Sequence, residues 1–142
     1  GIELTCVHVQ FPDPHFKKAH AKRRVVTEEL VHTLAAFTLP KRSMVLLQSD
    51  IRSVLDSMRE TFRESPWFDD VVSDPTEYLL YNPTGIPTER EISVMAQDLD
   101  VYRTVLVRNE VAVDVMPAVE AAVPDVPEGI LKKMREKSNI ND

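Results

Sequence analysis

Residues 2–24 read Ile2-Glu3-Leu4-Thr5-Cys6-Val7-His8-Val9-Gln10-Phe11-Pro12-Asp13-Pro14-His15-Phe16-Lys17-Lys18-Ala19-His20-Ala21-Lys22-Arg23-Arg24. The first ten form a strand-like run in which Leu4, Cys6, Val7, Val9 and Phe11 alternate little, as expected of a strand covered on both faces. The run stops at Pro12-Asp13-Pro14, a rigid turn that presents one carboxylate. Residues 15–24 then hold five Lys/Arg, two His and no acid. A carboxylate able to read a base, beside cations able to hold phosphates, is what an enzyme acting on nucleic acid needs.

Outward from that stretch the order is β-α-β-α followed by a β-rich end. Thr27 is placed to cap a helix with Glu28 and Glu29 in its first turn. Leu30, Val31, Leu34 and Phe37 share one face of that helix, and Pro40 stops it. Residues 44–47 are a second apolar strand, closed by Gln48-Ser49-Asp50. The spacing predicts a helix from about Ile51 to Glu64, with Val54, Leu55, Met58 and Phe62 buried and Pro66 as its stop. Residues 65–87 read as a short strand around 68–72 and a long loop, together holding four of the ten prolines. Trp67 is expected to anchor core or loop. Residues 101–108 alternate as a strand.

Two units result. Residues 1–110 form the folded part, and residues 111–142 a tail, partly disordered, with one short basic helix near residues 130–137. Strand, loop, helix, strand, helix is half of a doubly wound α/β domain, whose ligands sit beyond the carboxyl ends of the strands. Asp13 and Asp50 each follow a strand, so both belong on that rim.

At 142 residues the chain suits one domain. It carries 17 Lys+Arg against 23 Asp+Glu, a net charge of -6. Outside residues 15–24, 12 cations face 23 acids. A general nucleic-acid coat would be basic throughout, so one basic site on an acidic body points to a specific docking surface. Cys6 is the one cysteine. It forms no internal disulfide, and a lone buried thiol fits a reducing compartment. No apolar run approaches the length of a membrane span, and no signal-peptide pattern opens the chain. His8, His15, His20 and His32 share no ligand spacing, so no metal is expected. With a strand at its start and no initiator Met, the chain reads as a piece of something longer.

Each candidate also has a plainer reading. Pro12-Asp13-Pro14 can be a turn and nothing else. Residues 17–24 can be a solvated loop or a localisation-type cluster, with Arg23 or Arg24 paired to an acid. Asp50 suits the N-cap of the second helix. Thr88 and Glu91 have the spacing of a capping box.

The run from Phe11 to Arg24 follows F-P-D-P-[HW]-x-K-x-x-H-x-K-R-R. This is similar to the signature of the tRNA (guanine-N7)-methyltransferase family in its bacterial and plastid-like form. Ser49-Asp50 and the T-x-x-E of Thr88-Glu89-Arg90-Glu91 extend the resemblance over about residues 2–108. The resemblance implies an α/β fold, the second half of a Rossmann-like class I methyltransferase domain. That half has parallel strands plus an antiparallel terminal strand, and it is incomplete. Residues 1–11 would correspond to the family's fourth strand. Gly1, Gly85 and Gly129 are the three glycines, and they form no G-x-G loop. The earlier strands and most of the S-adenosylmethionine site are therefore expected outside this sequence.

The roles that the resemblance implies are these. Asp13 is catalytic and adjoins the cofactor. Lys17, Asp50, Thr88, Glu89, Arg90 and Glu91 bind the substrate guanosine. Lys18, Ala19, His20, Lys22, Arg23 and Arg24 contact tRNA, with Ala19 standing where the family usually has an arginine. The implied reaction is methyl transfer to guanosine N7 in tRNA, at the variable loop, in the cytoplasm or a plastid. The alternative is a non-catalytic RNA-binding subunit or degenerate paralogue. The unpaired edge of the first strand would meet a second copy or an amino-terminal half, and the sequence says nothing of an accessory subunit.

Overall fold

The computed structural model describes residues 3–114. Most of the expected tail, with its helix near residues 130–137, lies outside the described residues.

Four strands, β1 (Cys6–Gln10), β2 (Met44–Ser49), β3 (Phe68–Asp70) and β4 (Tyr102–Arg108), form one sheet in the order β1-β2-β4-β3. β1 and β2 are parallel, while β4 runs antiparallel to both β2 and β3. The carboxyl ends of β1, β2 and β3 therefore share one rim with the amino end of β4. Along that rim Gln10 lies opposite Gln48, and Gln48 opposite Arg103. This mixed sheet, with helices α1 (Glu28–Phe37), α2 (Arg52–Glu64) and α3 (Glu89–Ala96), has the expected arrangement of a partial Rossmann-like methyltransferase domain.

α1 starts where its cap is encoded, since Thr27 Oγ1 accepts from the Leu30 amide at 3.2 Å and Glu28 and Glu29 occupy the first turn. α1 and α2 cover one face of the sheet. Val31 and Leu34 of α1 and Val54, Leu55, Met58 and Phe62 of α2 join Val9, Val45, Leu47, Phe68 and Leu106 in one core. Phe62 and Phe68 meet edge to face with centroids 5.1 Å apart. Each such side chain contributes about 1.5–3 kcal/mol on burial. On the other face, α3 lies over β2 and β4, because Glu91 of α3 binds Gln48 and Arg103 of those strands. Leu46, Val94 and Val105 are buried outside the main core. Trp67 anchors the loop as expected, donating from Nε1 to the Ala112 carbonyl at 3.1 Å and packing edge-on against His32.

Four expectations change. β1 is covered on one face only: Val9 is buried, whereas Cys6 and His8 are exposed. The reason is positional, since β1 pairs only with β2 among the described residues and the buried Glu91 of α3 is held by Gln48 of β2 and Arg103 of β4. The Cys6 thiol is thus exposed, not buried. Phe37, on the same stripe of α1 as Val31 and Leu34, is 54% exposed. It ends the helix beside Leu4, whose amide donates to the Phe37 carbonyl at 2.9 Å, at the open side of the sheet. Finally, the β-rich end contains the eight-residue helix α3, which buries Glu91 and Val94 and leaves Ile92 and Met95 exposed. So narrow an apolar stripe has little periodicity to read.

Candidate functional site

The Pro12-Asp13-Pro14 turn leaves β1 at the rim. The Phe11 amide donates to the Gln48 carbonyl at 2.8 Å, carrying the ladder one residue past the strand. The chain then turns sharply: Phe11 has φ 49° and His15 φ 41°. Side chains of this size rarely adopt the left-handed region, and such strain persists only where the surroundings impose it. Here the two prolines fix φ between the strained residues. Arg24 closes the loop from below, its Nε donating to the His15 carbonyl at 3.1 Å and Nη2 to that of Phe16 at 3.4 Å. The predicted acid partner of Arg23 or Arg24 is replaced by these carbonyls. Asp13, at the apex, is exposed and makes no side-chain hydrogen bond or ion pair among the described residues.

The opposite wall is α3. Thr88 Oγ1 accepts from the Glu91 amide at 3.1 Å and the Glu91 carboxylate reaches back to the Thr88 amide, so the capping box is real. Glu91 is also 3% exposed. Its Oε1 accepts from Arg103 Nη2 at 2.8 Å, and its Oε2 from Gln48 Nε2 at 3.2 Å and Asn82 Nδ2 at 2.9 Å. Arg103 is held further by Gln48 Oε1 at 2.8 Å and the Leu80 carbonyl at 2.9 Å. Burial pushes the Arg103 guanidinium below its ordinary value, and the Glu91 charge opposes the shift. Both charges are compensated in place. Arg90, exposed on the same helix, reaches across to Asp50 at 2.7 Å. Asp50 is therefore not the N-cap of α2. That position belongs to Ile51, which has no side-chain cap, while Ser49 Oγ accepts the Ile51 amide.

Between the walls lies an open cleft of about 550 Å³ lined by Gln10, Asp13, Asp50, Thr88 and Arg90 together with Phe11, Pro12, Pro14 and Ile51. A smaller hollow of about 110 Å³ flanks the turn on its other side, against Phe16, Arg24, Val26 and Met58. Of the sequence-predicted residues, Asp13, Asp50, Thr88 and Arg90 come together in the cleft. Glu91 stands behind it, consumed by its partners, and Glu89 is exposed in the first turn of α3. The basic run forms a 3-10 helix, Lys18–Arg23, beside the turn. Lys17, Lys18, Ala19 and Arg23 are exposed there, whereas the side chains of His20 and Lys22 lie outside what the structure describes.

Sequence reasoning passed over Gln10, Gln48, Asn82 and Arg103. For Gln10, Gln48 and Arg103 a polar residue inside an apolar strand was the available signal, because a polar group enters a sheet core only with partners, whereas Asn82 lies in a loop and gave none. It also missed Arg59, 2% exposed, which pairs with Asp70 and donates to the carbonyls of Val72, Asp74, Pro75 and Glu77. Arg59 gathers the 70–77 loop toward the rim.

The sequence model of a family described as "Putative methyltransferase" matches residues 2–104. Similar curated proteins include the tRNA (guanine-N(7)-)-methyltransferases of Synechocystis sp. and Synechococcus elongatus. Each is 48% identical over 105 residues, covering 74% of this chain and 48% and 47% of those proteins respectively. That of Prochlorococcus marinus is 40% identical over 108 residues, covering 76% of this chain and 45% of its own length. The chain spans about half the length of the curated relatives it matches. Among the described residues no helix is long and apolar enough to cross a membrane.

Proposed function

The chain belongs to the methyltransferase family that matches its residues 2–104, and from that premise we propose that it forms the acceptor side of a site that methylates N7 of a guanosine in tRNA, in the variable loop. The observation that carries this reading is the meeting of three separate motifs in one cleft: Asp13 after β1, Asp50 after β2, and Thr88 and Arg90 at the start of α3.

The proposed donor is S-adenosylmethionine, which when bound supplies an electrophilic methyl group. The residues present suit it: an unengaged Asp13 carboxylate, walled by Phe11, Pro12 and Pro14, fits a cation with apolar substituents. Guanine N7 has a lone pair and no proton, so no side chain has to act as a general base. Positive charge appears on the guanine ring as the methyl group arrives, and Asp13 stabilises it electrostatically. The same carboxylate accepts hydrogen bonds from the donor edge of the base. Arg90, with one nitrogen on Asp50, has further N–H groups for the guanine O6 or a phosphate. Glu91 acts from behind, fixing Thr88 and Arg103.

Lys17, Lys18 and Arg23 hold flanking phosphates, and the target guanosine is drawn out of its stack into the cleft. The outer edge of β1 has no strand partner among the described residues. We propose that it joins further polypeptide, either a second copy or another part of a methyltransferase domain.

The test is methyl transfer to tRNA transcripts by the full-length protein that carries this chain, with the product read by nuclease digestion and mass spectrometry. The expected product is N7-methylguanosine at one site, lost on Asp13→Asn. Modification of another atom, or an unchanged rate in the variant, overturns the reading.

A further inference from the structure

Apart from the cleft, an open groove of about 560 Å³ lies between the first turns of α1 and the end of α2. Val31 and Trp67 give it an apolar lining, and Glu28, Glu29 and Glu64 stand exposed along it. None of these three carboxylates has a hydrogen bond or ion pair among the described residues. Such a groove attracts a cationic segment that also carries apolar side chains, and it repels the phosphates of RNA. The described chain ends beside it. Val113 packs against the core, Trp67 Nε1 donates to the Ala112 carbonyl at 3.1 Å, and His32 Nε2 lies 3.1 Å from the Asp114 carbonyl. A carbonyl oxygen can only accept, so His32 is the donor there. Both anchors, His32 and Trp67, line the groove. Asp114 therefore hands the chain on at the edge of the groove, with 28 residues, 115–142, to follow. Among them, residues 130–137 read Ile-Leu-Lys-Lys-Met-Arg-Glu-Lys, four cations against one acid.

We propose that residues 130–137 of the same chain dock in this groove, with Ile130, Leu131 and Met134 on its apolar lining and the flanking cations against Glu28, Glu29 and Glu64. The three apolar residues have the spacing of one helix face, the pattern by which a helix enters a groove. The 15 residues between Asp114 and Ile130 can span up to about 50 Å, which is ample. Because the segment is tethered, it meets the groove at a high effective concentration. Exposed ion pairs that are individually weak then suffice. The neighbouring hollow on α2, at Asp56, Glu60 and Glu64, is a poorer host, since Arg59 and Arg63 line it as well and repel a basic segment.

The experiment is carbodiimide cross-linking of the full-length protein that carries this chain, which joins a lysine amine to a carboxylate in contact with it. A mixture of light and isotope-labelled copies separates links within a chain from links between chains by mass. Links from Lys132 or Lys133 to Glu28, Glu29 or Glu64 should form within one chain, and should exceed those to exposed acids outside the groove such as Asp98 and Asp100. Glu64→Gln removes one charge from the groove and should lower the yield at Glu28 about threefold, the worth of one exposed pair. Thermal melting checks that the variant folds. Links formed only between light and labelled copies overturn the proposal and give the groove to a second copy. Equal yields at every exposed acid, or an unchanged yield at Glu28 in the variant, make the links a product of tethering alone and also overturn it. So does the absence of any link to the three acids.

Discussion

The two walls of the cleft handle charge in opposite ways. On the α3 wall, Glu91 and Arg103 are each about 95% buried and every charged atom named there meets an internal partner. On the β1 wall Asp13 stands exposed, as do Lys17, Lys18 and Arg23 on the segment that follows the turn, all with no side-chain partner among the described residues. Charges that are spent internally hold a wall in place, whereas charges left open have their free energy available to a substrate. Asp50 and Arg90 bridge the two regimes, paired with each other yet facing the cleft.

The contrast is tested hardest on the α3 wall. Arg103→Met leaves the Glu91 carboxylate buried without its counterion and should cost about 3–5 kcal/mol of stability, measured by urea unfolding. A loss below about 1 kcal/mol would mean that water enters and that this wall is no more closed than the other. On the β1 wall the expected effect falls on rate instead. Asp13→Asn should lower methyl transfer by about two to three orders of magnitude and move stability by less than about 0.5 kcal/mol. A variant that unfolds instead would make Asp13 a structural turn residue.

Acid offers a third probe, through the loop that joins β3 to α3. Burial pushes the Asp70 carboxyl up, but hydrogen bonds from Arg59, Thr104, the Val72 amide and Arg63 outweigh it and hold the group below the ordinary carboxylate range. A depressed folded-state pKa adds stability that is fully present above the unfolded-state value and is lost as pH falls through the folded one. Stability should therefore decline below about pH 4, and Asp70→Asn should flatten part of that decline while lowering stability at neutral pH. An acid limb identical in both proteins would remove Asp70 from the account.

The smallest effect belongs to the exposed cations. Ala19→Arg should tighten tRNA binding and steepen its salt dependence by about one counterion, while Lys17→Ala and Arg23→Ala do the reverse. Each change is on the order of 1 kcal/mol because the segment is exposed and screened. Filter binding across a salt series reads all of these. One shared slope would leave the run as a solvated surface.

Much of this architecture was legible because local chemistry and tertiary structure agree. Thr27 with its two following glutamates starts α1, prolines stop α1 and α2, and the apolar face of α2 is buried residue for residue. The Thr88–Glu91 capping box was equally readable, since both partners lie within one turn. The misreadings share a cause. Cys6 and Phe37 are apolar and were placed inside, but burial depends on what lies beyond an edge strand. Asp50 had the side chain of a cap, and its direction was decided by Arg90, 40 residues away in sequence.

By itself, then, the sequence determined the strands, the Thr27 and Thr88 helix caps, the Pro-Asp-Pro turn and the basic run, because φ limits, capping and periodicity act over a few residues. Only the tertiary structure decided which charges are closed and which are open. Glu91 meets Arg103 and Gln48 across 12 and 43 residues, and Gln10 faces the fully satisfied Gln48 with its own oxygen unpaired. The energy of a buried polar group depends on its spatial neighbours, and those are set by the order of strands in the sheet.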